Sequence, residues 1–90
     1  MRKVTKSEIA ILERLIFIED YYTVKEETGL LDGEIRDDLI NMLNSGLVQA
    51  FESDNSGTPV PVSFCDTDNL QKFYFRATNA GLKAFKQLKK

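Results

Sequence analysis

Hydrophobic positions along the chain change period, and the changes divide it into helices, then strands, then a last helix. Eight of the ten residues from 9 to 18 are apolar, leaving only Glu13 and Arg14. A helix with one buried face needs about half of that. Thr5-Lys6-Ser7-Glu8 in front of this run is a capping box, so a first helix is expected from Thr5 through Ile18. Two readings of its apolar density stay open: a central helix covered on several sides by its own domain, or a helix that also contributes to a dimer surface. A second capping box, Thr23-Val24-Lys25-Glu26, opens a short helix that stops at Gly29, with Tyr21 and Tyr22 in a short strand or linker ahead of it. Leu30-Leu31-Asp32-Gly33 then makes a turn with Asp32 as N-cap. Ile35, Leu39, Met42 and Leu43 recur at helical spacing, predicting a third helix from about Gly33 to Asn44, closed by Ser45-Gly46.

Beyond Gly46 the period shortens. Leu47 to Glu52 and Gln71 to Ala77 read as strands, with Phe73, Phe75 and Ala77 on one face. Asp54-Asn55-Ser56-Gly57-Thr58-Pro59 and Asp66-Thr67-Asp68-Asn69 read as turns. Val60, Val62 and Phe64 alternate as a further short strand would, and Pro61 confines it to an edge. Thr78 caps a last helix from Asn79 to about Leu88, with Leu82, Phe85 and Leu88 inward. Three helices and a β-hairpin close a small α+β core. A short helix, a tight turn and a longer helix are the helix-turn-helix pattern.

Several phrases in this order resemble winged-helix bacterial regulators. They are Thr23-Val24-Lys25-Glu26-Glu27-Thr28-Gly29-Leu30, then Ile35-Arg36-Asp37-Asp38-Leu39, then Leu43-Asn44-Ser45-Gly46-Leu47-Val48, and finally Ala77-Thr78-Asn79-Ala80-Gly81. The resemblance spans roughly residues 5–88, and the multiple-antibiotic-resistance and phenolic-acid repressor families are the nearest named groups. It implies one winged helix-turn-helix domain over residues 1–90: a helix-turn-helix at about 23–45, a wing at about 47–77 and a C-terminal helix at about 79–88. It further implies a DNA-binding transcriptional regulator whose third helix enters the major groove while the wing touches the backbone. The residues that would then meet nucleic acid are Thr23, Lys25, Arg36, Asn41, Asn44, Lys72 and Arg76, with Thr23 placed to meet a phosphate at a helix N-terminus. A homodimer through the first helix and the C-terminal helix is one expected assembly.

Charge complicates this picture. The net charge of −2 conceals +3 over residues 1–7, −11 over residues 8–68 and +6 over residues 69–90. On a helical wheel the outward face of the third helix is Glu34, Asp37, Asn41, Asn44 and Ser45, flanked by Arg36 and Asp38. Its span from Asp32 to Asn44 is net −3, whereas DNA affinity depends largely on neutralising phosphate. An alternative is therefore a winged helix that docks on protein through Glu34, Asp37, Asp38 and Asn41. Lys72, Arg76, Lys83, Lys86, Lys89, Lys90, Arg2, Lys3 and Lys6 are the cations left to meet phosphate or the acidic middle of a second copy.

Other chemistry is thin. Histidine is absent, removing the commonest general base and metal ligand. Asp37-Asp38 on an exposed helix face has no evident pocket to shift its pKa, so no enzyme is expected. Asp66-x-Asp68-Asn69 lacks the central Gly and distal Glu of a Ca²⁺ loop, so neither metal nor cofactor is expected. Tyr21, Tyr22 and Tyr74 are explained by packing as well as by a ligand pocket. The lone Cys65 reads as a small apolar residue. With neither a signal-peptide pattern nor a membrane-length apolar run, the cytoplasm is the expected compartment, with no membrane partner.

Overall fold

The computed structural model describes residues 3–88. In chain order its elements are α1 (Lys6–Arg14), β1 (Glu19–Asp20), α2 (Tyr21–Thr28), α3 (Asp32–Asn44), β2 (Val48–Phe51), β3 (Tyr74–Ala77) and α4 (Asn79–Leu88). The described residues thus form an α+β architecture of four helices and a three-stranded antiparallel sheet in the order β1-β3-β2. Among them no helix is long and apolar enough to cross a membrane. Arg2, Lys89, Lys90 and the inward side chain expected of Leu88 fall outside what is described.

The capping box at Thr5 forms as expected: Thr5 Oγ1 accepts from the Glu8 N–H at 3.2 Å, and Glu8 Oε1 accepts from the Thr5 N–H at 3.0 Å. The helix then stops at Arg14 instead of running to Ile18. Leu15 leaves helical geometry, and its carbonyl accepts the Ala77 N–H at 2.9 Å. The chain is thereby joined to the sheet, and the extended course of Ile16-Phe17-Ile18 suits their β-branched and aromatic side chains. β1 pairs with β3, Glu19 opposite Phe75 and Asp20 opposite Tyr74. The strand expected at Tyr21-Tyr22 therefore lies two residues earlier.

The start of α2 moves with it. Asp20, not Thr23, is the N-cap: its Oδ1 accepts from the Thr23 N–H at 3.0 Å, and the second capping box does not form. Tyr21 falls inside the helix and turns into the core, 2% exposed. α2 ends as expected at Gly29, whose φ of 71° is the left-handed geometry that favours glycine. α3 begins at Asp32 with Leu31 as N-cap, so Asp32 is its first helical residue and its carboxylate is free for another task.

α1 touches α2, α3 and α4, and Ile11, Leu12 and Leu15 are fully buried. Its own domain covers it on several sides. The inward face of the sheet, Val48, Ala50, Phe75 and Ala77, packs into the same core as Ile35, Leu39, Met42 and Leu43 of α3. Between the two long strands the expected regularity breaks down. Val60 makes a single bridge to Ala50, and Val62–Phe64 forms a 3-10 turn closed by the Phe64 N–H on the Pro61 carbonyl. Pro61, with no N–H, does not extend the ladder. Leu70–Lys72 is likewise a 3-10 turn, which seats Leu70 in the core, so β3 starts at Tyr74 instead of Gln71.

The two phrases that flank the strands meet in space. Gly46, at φ 75°, closes α3, and the Leu47 N–H donates to the Met42 carbonyl. Thr78 Oγ1 donates to the Gly46 carbonyl at 2.6 Å and accepts from the Gly81 N–H at 3.1 Å. The Thr78 N–H donates to the Leu47 carbonyl at 2.9 Å. Gly81 packs so close to Leu47 that a Cβ there would overlap the Leu47 carbonyl oxygen. The Leu43–Val48 and Thr78-x-x-Gly81 phrases are thus one joint, in which α4 is fastened to the exit of α3.

Candidate docking face on α3

The exposed side of α3 follows from its register. With Ile35, Leu39, Met42 and Leu43 buried, Glu34, Asp37, Asn41, Asn44 and Ser45 all face solvent. Asp38 sits at the edge of this face, half-buried. Its Oδ2 is buried without a hydrogen-bond partner, and burial pushes its carboxyl above the ordinary value, with the Glu8, Glu34 and Asp37 charges adding to the rise and Ser7 opposing it. Asp38 is thus turned partly towards α1, and the acid presented outward is carried by Glu34 and Asp37.

Cations within the helix-turn-helix are bound internally. Asp32 Oδ1 accepts the Tyr21 hydroxyl at 2.7 Å, and its Oδ2 meets Lys25 Nζ at 3.1 Å. The Tyr21 hydroxyl and then Lys25 hold the Asp32 carboxyl below its ordinary value. Burial first, and then the hydrogen bond to Asp32, push the Tyr21 phenol up. Arg36 lies against the same Tyr21 oxygen, which raises the guanidinium's pKa, with the Asp32 and Asp68 charges acting in the same sense. Its Nε is buried without a partner. Lys25 and Arg36, two expected phosphate contacts, are therefore neutralised by the domain that carries them.

Thr23 also departs from its expected role. Its N–H is already donated to Asp20, and that carboxylate occupies the N-terminus of α2 where a phosphate would sit. Lys72 and Arg76 are exposed, as a wing contact requires, with the Arg76 guanidinium 5.3 Å from the centre of the Phe51 ring. The structure thus brings Tyr21, Lys25, Asp32 and Arg36 together, and separately Glu34, Asp37, Asn41 and Asn44. It does not bring Thr23, Lys25 and Arg36 into one outward cationic surface. Sequence reasoning missed Tyr21 and Asp20. The available signal was the spacing of four between Asp32 and Arg36, which places them on one helix face.

Remaining candidates are occupied by local structure. Asp66 Oδ1 accepts from the Asp68 N–H at 2.8 Å and Asn69 Oδ1 from the Asp66 N–H at 2.9 Å, closing the turn they lie in. Among the described residues no group of three or more metal-ligating side chains is assembled. Burial pushes the Cys65 thiol up, with Asp66 adding to the rise, which disfavours the reactive thiolate. Comparison with protein-family models, curated proteins and solved structures found no match.

Asp32 and Asp38 predict opposite pH behaviour on one helix. The folded pKa of Asp32 is lowered, so its contribution is present above the unfolded value of about 4 and is lost as pH falls through the folded pKa. Asp32→Asn should therefore destabilise the protein at pH 7, with the gap to wild type closing in acid. The folded pKa of Asp38 is raised, so its charge costs stability at neutral pH and that cost is relieved as pH falls. Asp38→Asn should match or exceed wild-type stability at pH 7. Urea unfolding from pH 3 to pH 7 checks both, and equal acid limbs for wild type and Asp32→Asn would contradict the first.

Proposed function

We propose that this chain is a winged helix-turn-helix domain that docks on a basic protein surface through Glu34 and Asp37 of α3. The fold part of this reading is supported by the order of elements: a short helix, a tight turn and a longer helix, followed by a strand pair that a third strand extends in the order β1-β3-β2. One observation carries the functional part: Asp32 and Tyr21 engage Lys25 and Arg36, while Glu34 and Asp37 remain exposed. Duplex DNA carries one negative charge per ~1.7 Å of axis. A helix inserted into its groove with those two carboxylates outward and its cation turned inward meets repulsion where neutralisation is needed.

DNA binding is the second reading, favoured by the exposure of Lys72 and Arg76 between and on the long strands. In that mode Asn41 and Asn44 would pair with adenine and the two cations would meet phosphate.

A charge-matched pair of variants tests the docking reading. Glu34→Lys/Asp37→Lys reverses the proposed face, and Glu26→Lys/Glu27→Lys makes the same charge change at exposed positions of α2. Affinity for a protein partner retained by wild type should fall at least ~10-fold, about 1.4 kcal/mol, in the first variant only. An equal response of the two variants contradicts a docking face on α3.

A further inference from the structure

Resting on the docking reading, we propose that the basic surface is carried by a second copy of this chain: Glu34 and Asp37 of each copy lie against a groove bearing Arg76 and Lys83 on the other. The groove encloses about 580 Å³ and opens to solvent between the α1–β1 connection, the outer side of the sheet and the start of α4. Ile16, Ala77, Ala80 and Leu82 give it an apolar lining, and Arg76 is its charged wall. Among the described residues no carboxylate lines it. Lys83, exposed, follows one helical turn after Asn79, which also borders the groove. The groove reaches Gly46, immediately past the C-cap of α3.

Its complement lies at the other end of the same helix. Leu31, the N-cap of α3, is 73% exposed, and Glu34 and Asp37 follow it on the exposed face. An apolar side chain followed by two carboxylates matches an apolar lining with two cations. Asn41 and Asn44, between the two patches, are neutral. At 1.5 Å per residue Glu34 and Gly46 are about 18 Å apart along the axis.

Complementary patches separated along one helix are what a two-fold contact uses. When two copies of α3 run antiparallel across an axis near Asn41, the acidic half of each faces the groove of the other, and the charge match is made twice. The two Asp37 residues then stand about 12 Å apart along the helices, beyond the ~8 Å Debye length at physiological salt. The arrangement also joins the acids concentrated in residues 8–68 to cations of residues 69–90.

Sedimentation equilibrium of the full chain at low salt tests this. Wild type should form a dimer that weakens as salt is added. Glu34→Lys/Asp37→Lys and Arg76→Glu/Lys83→Glu should each dimerise at least ~10-fold more weakly, with unchanged circular dichroism, because all four side chains are exposed. An equimolar mixture of the two variants should dimerise again, since both contacts re-form with reversed sign. A wild type that stays monomeric at its highest soluble concentration overturns the proposal, as does a mixture that stays monomeric while wild type pairs. A monomeric wild type whose binding of another protein is still lost in Glu34→Lys/Asp37→Lys overturns the second-copy proposal and leaves the docking reading standing. If that binding is kept, both fall.

Discussion

Phe75→Ala is expected to cost about 3–5 kcal/mol, the largest loss from any single truncation discussed. Phe75 is fully buried in the middle strand of the sheet, with Glu19 opposite it on one side and Ala50 on the other. Its ring fills the space between the sheet and the helices, and neither neighbouring strand offers a large side chain to replace it at that level. A domain of this size has about 5–15 kcal/mol of stability in all. The variant should therefore show a much lower urea midpoint with little change in slope, and a fall in Tm of at least ~12 °C. A loss below ~1 kcal/mol would mean that the core is not centred on β3.

The second large effect is a change of sign between two identical substitutions. Glycine to alanine inside a helix ordinarily gains up to ~1 kcal/mol. Gly33, in the first turn of α3, has nothing within 4 Å of where a Cβ would stand, so Gly33→Ala should show that gain. At Gly81 the added methyl would overlap the carbonyl oxygen of Leu47 and press on Leu12 Cδ2 at 3.3 Å. A backbone carbonyl that already accepts the Thr78 N–H cannot swing aside as a side-chain tip could. Overpacking of this kind costs ~1–3 kcal/mol and outweighs the helical gain. Urea unfolding should place Gly33→Ala above wild type and Gly81→Ala below it. Stabilisation by both would show that α4 is not fastened to the α3 exit by the Leu47 contact.

These two predictions mark which parts of the fold were legible. The Thr5 box, Gly29, Gly46 and Thr78 were read correctly because a cap is a local device, complete within three or four residues. The spacing of Ile35, Leu39, Met42 and Leu43 fixed the buried side of α3, and with it the exposure of Glu34, Asp37, Asn41 and Asn44. The end of α1 was not legible, because it depends on the Leu15 carbonyl finding the Ala77 N–H near the other end of the chain. The start of α2 failed for a related reason. Both Asp20 and Thr23 are good caps, and pairing of Glu19–Asp20 with β3 selects the earlier one. The alternation of Val60, Val62 and Phe64 looked like a strand but is interrupted at Pro61.

The candidate site divides along the same line. Which residues are acidic and which of them are outward could be read from the wheel. That Lys25 and Arg36 are bound within the domain could not, because it required Tyr21 to be helical and buried. Once Asp32 is engaged by Tyr21 and Lys25, the outward charge of α3 is set by Glu34 and Asp37. The same carboxylates that disfavour a DNA groove favour a basic protein surface, so a single property of the helix bears on both readings.

The decisive measurement is a fluorescence-anisotropy titration of labelled duplex DNA at low salt with wild type and with Glu34→Lys/Asp37→Lys. Docking through an acidic α3 predicts no saturable binding by wild type and newly acquired, sequence-independent binding by the variant, lost steeply as salt is raised. Saturable binding by wild type that the double substitution weakens would contradict it.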